Sequence, residues 1–323
     1  MRAIRIDQTG GPEVLKLVDV DPPEPGAGQI RIRNKAIGVN FIDTYQRSGL
    51  YPVATPSGLG LEGAGIVDAV GEGVARFHVG ERAGYCSGPI GAYAEAHVVV
   101  ADRAVKLPDG VSDDVAASSM LKGMTARYLL KRTYPLKPGD VCVIHAAAGG
   151  VGQIAVQWAV HLGATVIAVV GSDAKAAIPR ALGAHHVIVS SRENIADRVR
   201  EITDLQGADV VYDSVGKDTF EASINSLKPL GMLVSFGNAS GPVSPFNPLL
   251  LSQKGSLYFT RPTLFDYTRT PVLLQETADD LFDVIASRAV SVAPPTRYAL
   301  ADAAQAHLDL EARKTTGSLV LEP

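Results

Sequence analysis

Cysteine is scarce in this chain, with Cys86 and Cys142 the only two in 323 residues. Two thiols cannot build a four-thiolate zinc lobe or a disulfide framework, and they read as reduced thiols rather than a bridge. Redox chemistry would therefore have to come from a bound cofactor. Long apolar runs are also missing. None approaches the roughly 18 residues that a membrane span needs, and the opening MRAIRIDQTGGPE is broken by charge before a signal-peptide core could form. The expectation is a soluble, cytoplasmic protein. Nor is there a charge excess: 30 Lys and Arg stand against 34 Asp and Glu, a net charge of −4, with no block of like charge. A phosphate-backbone footprint is absent, which makes nucleic acid a poor default partner. No internal repeat or low-complexity tract is found, which argues against solenoids and arrays.

What is present is ordinary globular material, 46% hydrophobic and 20% charged, in a length that favours two domains. The first 110 residues or so are dense in Gly and Pro and carry short alternating segments, among them Ile30 and Ile32 against Arg31 and Arg33, then Gly65 to Val70 and Ala94 to Val100. These predict antiparallel strands joined by tight turns, with the Pro-rich DPPEPG at Asp21 to Gly26 as one such turn. Ser112, followed by Asp113 and Asp114, predicts a helix start that runs into Ala116, Ala117 and Met120. From about residue 140 the pattern changes to apolar strands (VCVIHA, TVIAVV, HVIV, DVVYD, MLVSF, SLYFT) alternating with helical stretches, which predicts a parallel sheet with crossover helices. An amphipathic stretch follows from Pro271 to Arg288, and the closing GSLVLEP is expected to rejoin the first domain as a strand.

The most informative segment is AAAGGVGQIAVQWAVHLGA from Ala146, where a buried strand runs into Gly149, Gly150 and Gly152 and then into a helix. Val151, Ile154, Ala155, Trp158 and Leu162 recur with the period of one helical face. Small residues at such a turn let the backbone approach a pyrophosphate, and the helix N-terminus offers it unpaired N–H groups and partial positive charge. The alternative is a tight βα turn whose glycines serve packing alone. An NAD site of this kind carries an acid about 20 residues further on to bind the ribose hydroxyls. That place is taken by Gly171 and Ser172, with Lys175 close by, which favours NADP over NAD; the neighbouring Asp173 is unfavourable for a phosphate.

With those segments in hand, the sequence resembles the medium-chain dehydrogenase/reductase superfamily and, within it, the zinc-free NADPH:quinone oxidoreductases of the zeta-crystallin branch. The resemblance spans essentially the whole chain and rests on VNFIDTYQRSGLYP from Val39, GLGLEGAGIV from Gly58, AAAGGVG, VYDSVGKDTF from Val211, MLVSFGNASGPV and KGSLYFTRPTL. It implies an α/β fold: a mostly-β GroES-like domain from residues 1–124, completed by 262–323, and a Rossmann domain with a doubly wound parallel sheet over 125–261. Zinc enzymes of the superfamily place a Cys where this chain has Asn40, and a His where Leu61 precedes Glu62. Glu62 then reads as structural. Without a Lewis acid, reduction of an already electrophilic acceptor is the chemistry left.

The resemblance further implies that Asn40, Asp43, Tyr45 and Tyr51 surround the nicotinamide and the acceptor, with ordinary packing as the plainer role for the two tyrosines. It places Thr125 near the nicotinamide or its phosphates. Val151 joins the three glycines at the pyrophosphate, and Val215, Phe236, Asn238 and Ser240 flank the ring. Arg261 reaches the cofactor or forms a structural ion pair, and Arg313, Lys314 and Ser318 close over the adenosine phosphate. Relatives carry a Tyr near the third strand of the Rossmann domain where this chain reads Ser190, Ser191, Arg192, so Ser191 or Arg192 is expected to compensate. None of the seven histidines has metal-ligand spacing. The expected activity is metal-free, NADPH-dependent reduction of a quinone or other conjugated carbonyl in an interdomain cleft, by a homodimer joined through the SLYFT strand. A double-bond reductase of enones and alkenals is the nearest alternative. A NADPH-binding sensor or an RNA-binding protein is the alternative of another class, and the acidic balance argues against RNA.

Overall fold

The opening RAIRI sets the apolar Ala3, Ile4 and Ile6 among the charged Arg2 and Arg5. In the computed structural model, which describes all of residues 1–323, this segment is β1 (Arg2–Ile6), with Ile4 and Ile6 buried and Arg5 exposed. It pairs with β2 (Lys16–Asp19). Strand β3 (Gln29–Val39) lies inside a larger sheet; it alternates through Ile30 and Ile32 and is buried continuously from Ala36 to Val39 after a register shift, with Ile30, Ile32 and Ile37 in the core. Helix α1 (Phe41–Ser48) starts at Asn40 and stops at Gly49, whose φ of 83° is the left-handed conformation that ends a helix. The strands β4 (Ser57–Gly58), β5 (Glu62–Val70), β6 (Arg82–Tyr85), β7 (Ala96–Val100) and β8 (Ala104–Lys106) follow, all antiparallel to their neighbours. Helix α2 (Asp113–Tyr128) is capped by Ser112, whose Oγ accepts from the Val115 N–H at 3.2 Å.

Six parallel strands come next, in crossover with helices: β9 (Val141–Ile144), α3 (Gly150–His161), β10 (Thr165–Val170), α4 (Asp173–Ala181), β11 (His186–Val189), α5 (Ile195–Ile202), β12 (Ala208–Asp213), α6 (Phe220–Asn225), β13 (Leu227–Ser235), α7 (Leu249–Gln253) and β14 (Tyr258–Thr260). Their order, β11-β10-β9-β12-β13-β14, is that of a dinucleotide-binding sheet, with its topological switch between β9 and β12. Strand β13 begins at Leu227, upstream of the expected MLVSF. In α3, Ile154, Ala155 and Trp158 are buried as expected. The buried surface also takes in Gly152, Val156 and Ala159, while Val151 and Leu162 are half-buried. The remaining elements are α8 (Leu264–Tyr267), α9 (Pro271–Ala286), β15 (Thr296–Ala299), α10 (Ala303–Glu311) and β16 (Leu319–Glu322). Strand β16 pairs antiparallel with β3, setting Leu319 opposite Val39 and Leu321 opposite Ile37, and both leucines enter the first core.

The chain divides into two compact units, one of Met1–Met124, Tyr267–Ala286 and Val292–Pro323, the other of Thr125–Asp266 and Ser287–Ser291. The second crossover thus lies at 266/267 rather than at 261/262. Arg261 Nη1 donates to the Ser235 carbonyl at 3.1 Å, tying the segment after β14 to the end of β13. The short return at 287–291 is held to α3 by Gln157, whose Nε2 donates to the Ser291 carbonyl at 3.1 Å and whose Oε1 accepts from the Ser291 N–H at 2.9 Å.

Candidate active site

In the second unit the predicted cofactor residues gather at the carboxyl ends of the parallel strands. Gly149 is the N-cap of α3 and supplies no side-chain cap, so the first-turn amides face outward from a positive helix end. A Cβ on Gly152 would lie 2.4 Å from the Ala146 carbonyl oxygen and 2.7 Å from Ala147 Cα, so only glycine lets the helix settle on the turn. At Gly171, by contrast, a Cβ would meet nothing within 4 Å. Ser172 is the N-cap of α4, and Lys175 lies in the first turn of that helix. Strands β10 and β11 end in register, Val170 opposite Val189, and the Ser190 N–H donates to the Val170 carbonyl at 2.9 Å. Gly171, Ser191 and Arg192 therefore share one exposed edge. Arg192 Nε donates to Asp173 Oδ1 at 3.1 Å, which counters the acid that was unfavourable for a phosphate.

Val215 follows β12, and Phe236, Asn238 and Ser240 follow β13, all half-buried. The two turns are joined by backbone bonds: the Ser240 N–H donates to the Val215 carbonyl at 2.8 Å and the Ala239 N–H to the Ser214 carbonyl at 3.2 Å. Thr125 is buried on α2. Arg313 and Lys314 are exposed, but Ser318 is not: its hydroxyl donates to the Ser118 carbonyl at 2.8 Å. That bond fixes the start of β16 to α2 and takes Ser318 away from an adenosine-binding role.

In the first unit Asn40 Nδ2 donates to Glu62 Oε2 at 2.8 Å, and Glu62 Oε1 accepts from the Leu121 N–H at 2.7 Å. Lys122, with its side chain 7% exposed, brings its ammonium to 3.4 Å from the same Glu62 Oε2. Lys122 was missed by the sequence reading. Its signal was present, however: a single cation inside the apolar and small-residue run VAASSMLKGM, where a helix buried on most sides would have to pair it. Tyr45 and Tyr51 are brought together edge to face with ring centroids 5.2 Å apart, and Phe41 packs on Tyr45 at 6.2 Å.

Asp43 departs from its expected place. It is fully buried, and its Oδ2 accepts from the Asn40 N–H and the Tyr93 hydroxyl, both at 2.8 Å. The third residue of a helix turns its carboxylate back onto the cap, so Asp43 secures α1 rather than facing an acceptor. Burial raises its pKa to about 7. Behind Tyr93 the chain of bonds continues through His307 and Arg47 to Glu311. Arginine only donates, so His307 Nδ1 accepts and its Nε2–H is the donor to Tyr93, whose hydroxyl in turn donates to Asp43. Burial holds His307 down to about 3, leaving the ring neutral. His97 is likewise buried and held down to about 4.

The Alcohol dehydrogenase GroES-like domain family matches residues 26–109, and the Zinc-binding dehydrogenase family matches residues 150–279. The chain is 54% identical over 323 residues to a quinone oxidoreductase of Pseudomonas aeruginosa, covering 100% of this chain and 99% of that one. The chain belongs to the quinone oxidoreductases of the medium-chain dehydrogenase/reductase superfamily. The structure of the Escherichia coli quinone oxidoreductase complexed with NADPH superposes with a TM-score of 0.98 at 48% identity, covering 100% of each chain. A 2-haloacrylate reductase of Burkholderia sp is 45% identical over 325 residues, covering 98% of both.

Two groups implied by these quinone oxidoreductase and dehydrogenase matches can be tested against the residues present. Zinc does not fit. Asn40 offers Glu62 an N–H, Lys122 sets an ammonium on the same carboxylate, Leu61 supplies no ligand, and nowhere do three His, Cys, Asp or Glu side chains group to hold a metal. A dinucleotide does fit. The uncapped α3 terminus, the close backbone approach at Gly152 and the open space at Gly171 match a pyrophosphate and a 2′-phosphorylated ribose.

Proposed function

We propose that this chain is a metal-independent, NADPH-dependent quinone reductase. The observation that carries the reading is the TM-score of 0.98 to a quinone oxidoreductase complexed with NADPH, over the full length of both chains. The α3 amides and Gly149 to Gly152 hold the pyrophosphate. Gly171 leaves room for the 2′-phosphate, and Lys175, with Arg192 beside it, supplies positive charge. The turns carrying Val215, Phe236, Asn238 and Ser240 support the nicotinamide side. NADPH, when bound, supplies a hydride.

The first unit receives the acceptor. One Asn40 Nδ2 hydrogen is committed to Glu62 and the other remains to donate to an acceptor oxygen as it gains negative charge. Tyr45 and Tyr51 contribute aromatic surface and hydroxyl groups for the accompanying proton. Lys122 acts through Glu62 as a positioning residue, its ammonium set against the same carboxylate oxygen that accepts from the Asn40 amide.

The relative that acts as a 2-haloacrylate reductase supports a second reading, reduction of an electron-poor C=C bond. NADPH oxidation by the purified protein with a quinone panel and with an enone and haloacrylate panel decides between them. Faster turnover of quinones supports the first reading, the reverse order supports the second, and NADPH binding without turnover of any acceptor overturns both.

We further propose a homodimer. Strand β14 ends its sheet, and Tyr258 on it is 57% exposed. Natural proteins rarely leave such an edge unpaired, and pairing with the same strand of a second copy would cover it.

A further inference from the structure

Beneath the two cofactor turns lies a buried polar cluster that the reaction does not use. His145 is the last residue before the glycine-rich turn, Asp213 ends β12, and Ser223 lies on α6. By composition they are a serine hydrolase set, but the protons run the other way. Ser223 Oγ donates to Asp213 Oδ2 at 2.7 Å, so its contact of 3.0 Å with His145 Nε2 must be one in which the histidine donates. The ring cannot take the serine proton, and all three side chains are at most 2% exposed.

The arrangement is a clamp. Asp213 Oδ1 accepts from the N–H groups of Val215 at 2.8 Å and Gly216 at 3.1 Å, while the Thr219 hydroxyl lies 2.9 and 2.7 Å from the two carboxylate oxygens. The turn held in this way is packed backbone to backbone against the turn after β13. A Cβ on Gly216 would lie 2.5 Å from the Gly241 carbonyl oxygen, and one on Gly237 would lie 2.4 Å from that of Ser214. Strands β9 and β12 are the pair that flanks the topological switch, and the His145 N–H donates to the Tyr212 carbonyl at 3.0 Å. Burial alone would raise the Asp213 pKa, but the surrounding donors hold it below the ordinary carboxylate range.

We infer that Asp213, with Thr219, Ser223 and His145, is a positioning device that pre-sets the Val215 and Asn238 turns for the nicotinamide half of the cofactor before it binds. The inference rests on the NADPH reading above. It goes further in assigning preorganisation of one half of the dinucleotide to residues that do not touch it.

The test compares Ser223→Ala, Thr219→Val and the hydroxyl-retaining Thr219→Ser in the full-length protein. Without cofactor, amide exchange over residues 213–220 and 236–241 should accelerate at least about tenfold in the first two variants and return to wild-type rates in Thr219→Ser. The Kd for NADPH should rise roughly tenfold in those two variants, while that for adenosine 2′,5′-bisphosphate, which lacks the nicotinamide half, should change less than about twofold. Unchanged exchange, or equal weakening of both ligands, overturns the inference. If Ser223→Ala does not fold, the Thr219 pair decides alone. A wild type that does not bind NADPH refutes the cofactor reading, and the exchange comparison still judges the clamp.

Discussion

Replacing Lys122 with Met keeps the length and apolar stem of the side chain and deletes its charge. What remains is Glu62, fully buried, with hydrogen bonds from Asn40 Nδ2 at 2.8 Å and the Leu121 N–H at 2.7 Å but no cation. At the observed 3.4 Å, two unit charges attract by about 5 kcal/mol at an effective dielectric constant of about 20. Removing one member of a buried pair costs about 3–5 kcal/mol, because the other charge stays behind without compensation. Trp158, the single tryptophan, lies in the second unit, so its fluorescence reports on the wrong core. Amide exchange at β5 and at Leu121 reads the first unit directly. The loss corresponds to exchange faster by roughly a hundredfold to several thousandfold. Adding Glu62→Gln should recover part of that loss, since the buried charge is then gone from both sides, giving a coupling of at least about 1 kcal/mol. Wild-type protection in Lys122→Met, or strict additivity in the double variant, would refute the argument that this pair is a compensated buried charge.

Lys175→Ala should weaken NADPH by roughly tenfold or more and leave NADH nearly unchanged. Gly171→Asp, sterically free because a Cβ there meets nothing within 4 Å, should shift preference toward NADH. Paired cofactor titrations check both, and equal weakening of the two cofactors by Lys175→Ala would show that another cation selects. Burial raises Asp43 to about 7 from the ordinary 3.8, so the folded protein keeps a proton that the unfolded chain has released. The stabilisation this contributes is present at low pH and lost as pH rises through that window, so wild type should lose stability relative to Asp43→Asn by up to about 1.4 kcal/mol per pH unit between about pH 4 and 7. Denaturation of both proteins at several pH values tests this; a gap independent of pH would contradict it. His307 and His97 titrate alike in the two proteins and cancel from the difference. Tyr258→Lys should convert the proposed dimer to a monomer by light scattering at micromolar concentration, whereas a wild type that is already monomeric rules the dimer out.

The sequence by itself determined what depends on neighbouring residues. Gly149, Gly150 and Gly152 between an apolar run and an amphipathic one allow a strand, a tight turn and a helix and little else. The repetition of that pattern fixed a parallel α/β sheet, because parallel neighbours need crossovers. Set against the zinc enzymes that the sequence resembles, Asn40 and Leu61 stand where those enzymes carry a Cys and a His, so the mismatch with a zinc site was legible from residue type. Tertiary structure decided what depends on residues far apart in the chain. Asp43 read as a candidate at the reacting centre because a carboxylate beside Asn40 looks the same whether it faces a substrate or a core. Only the closing of Tyr93 and His307 over it, 50 and 214 residues apart in their bonds, made it a buried cap. Lys122 and Glu62 are separated by 60 residues, and His145 and Ser223 by 78. A local pattern reports which face of an element is apolar, but whether a charged group is paired or exposed is fixed by whatever packs over it, and that is a property of the folded chain.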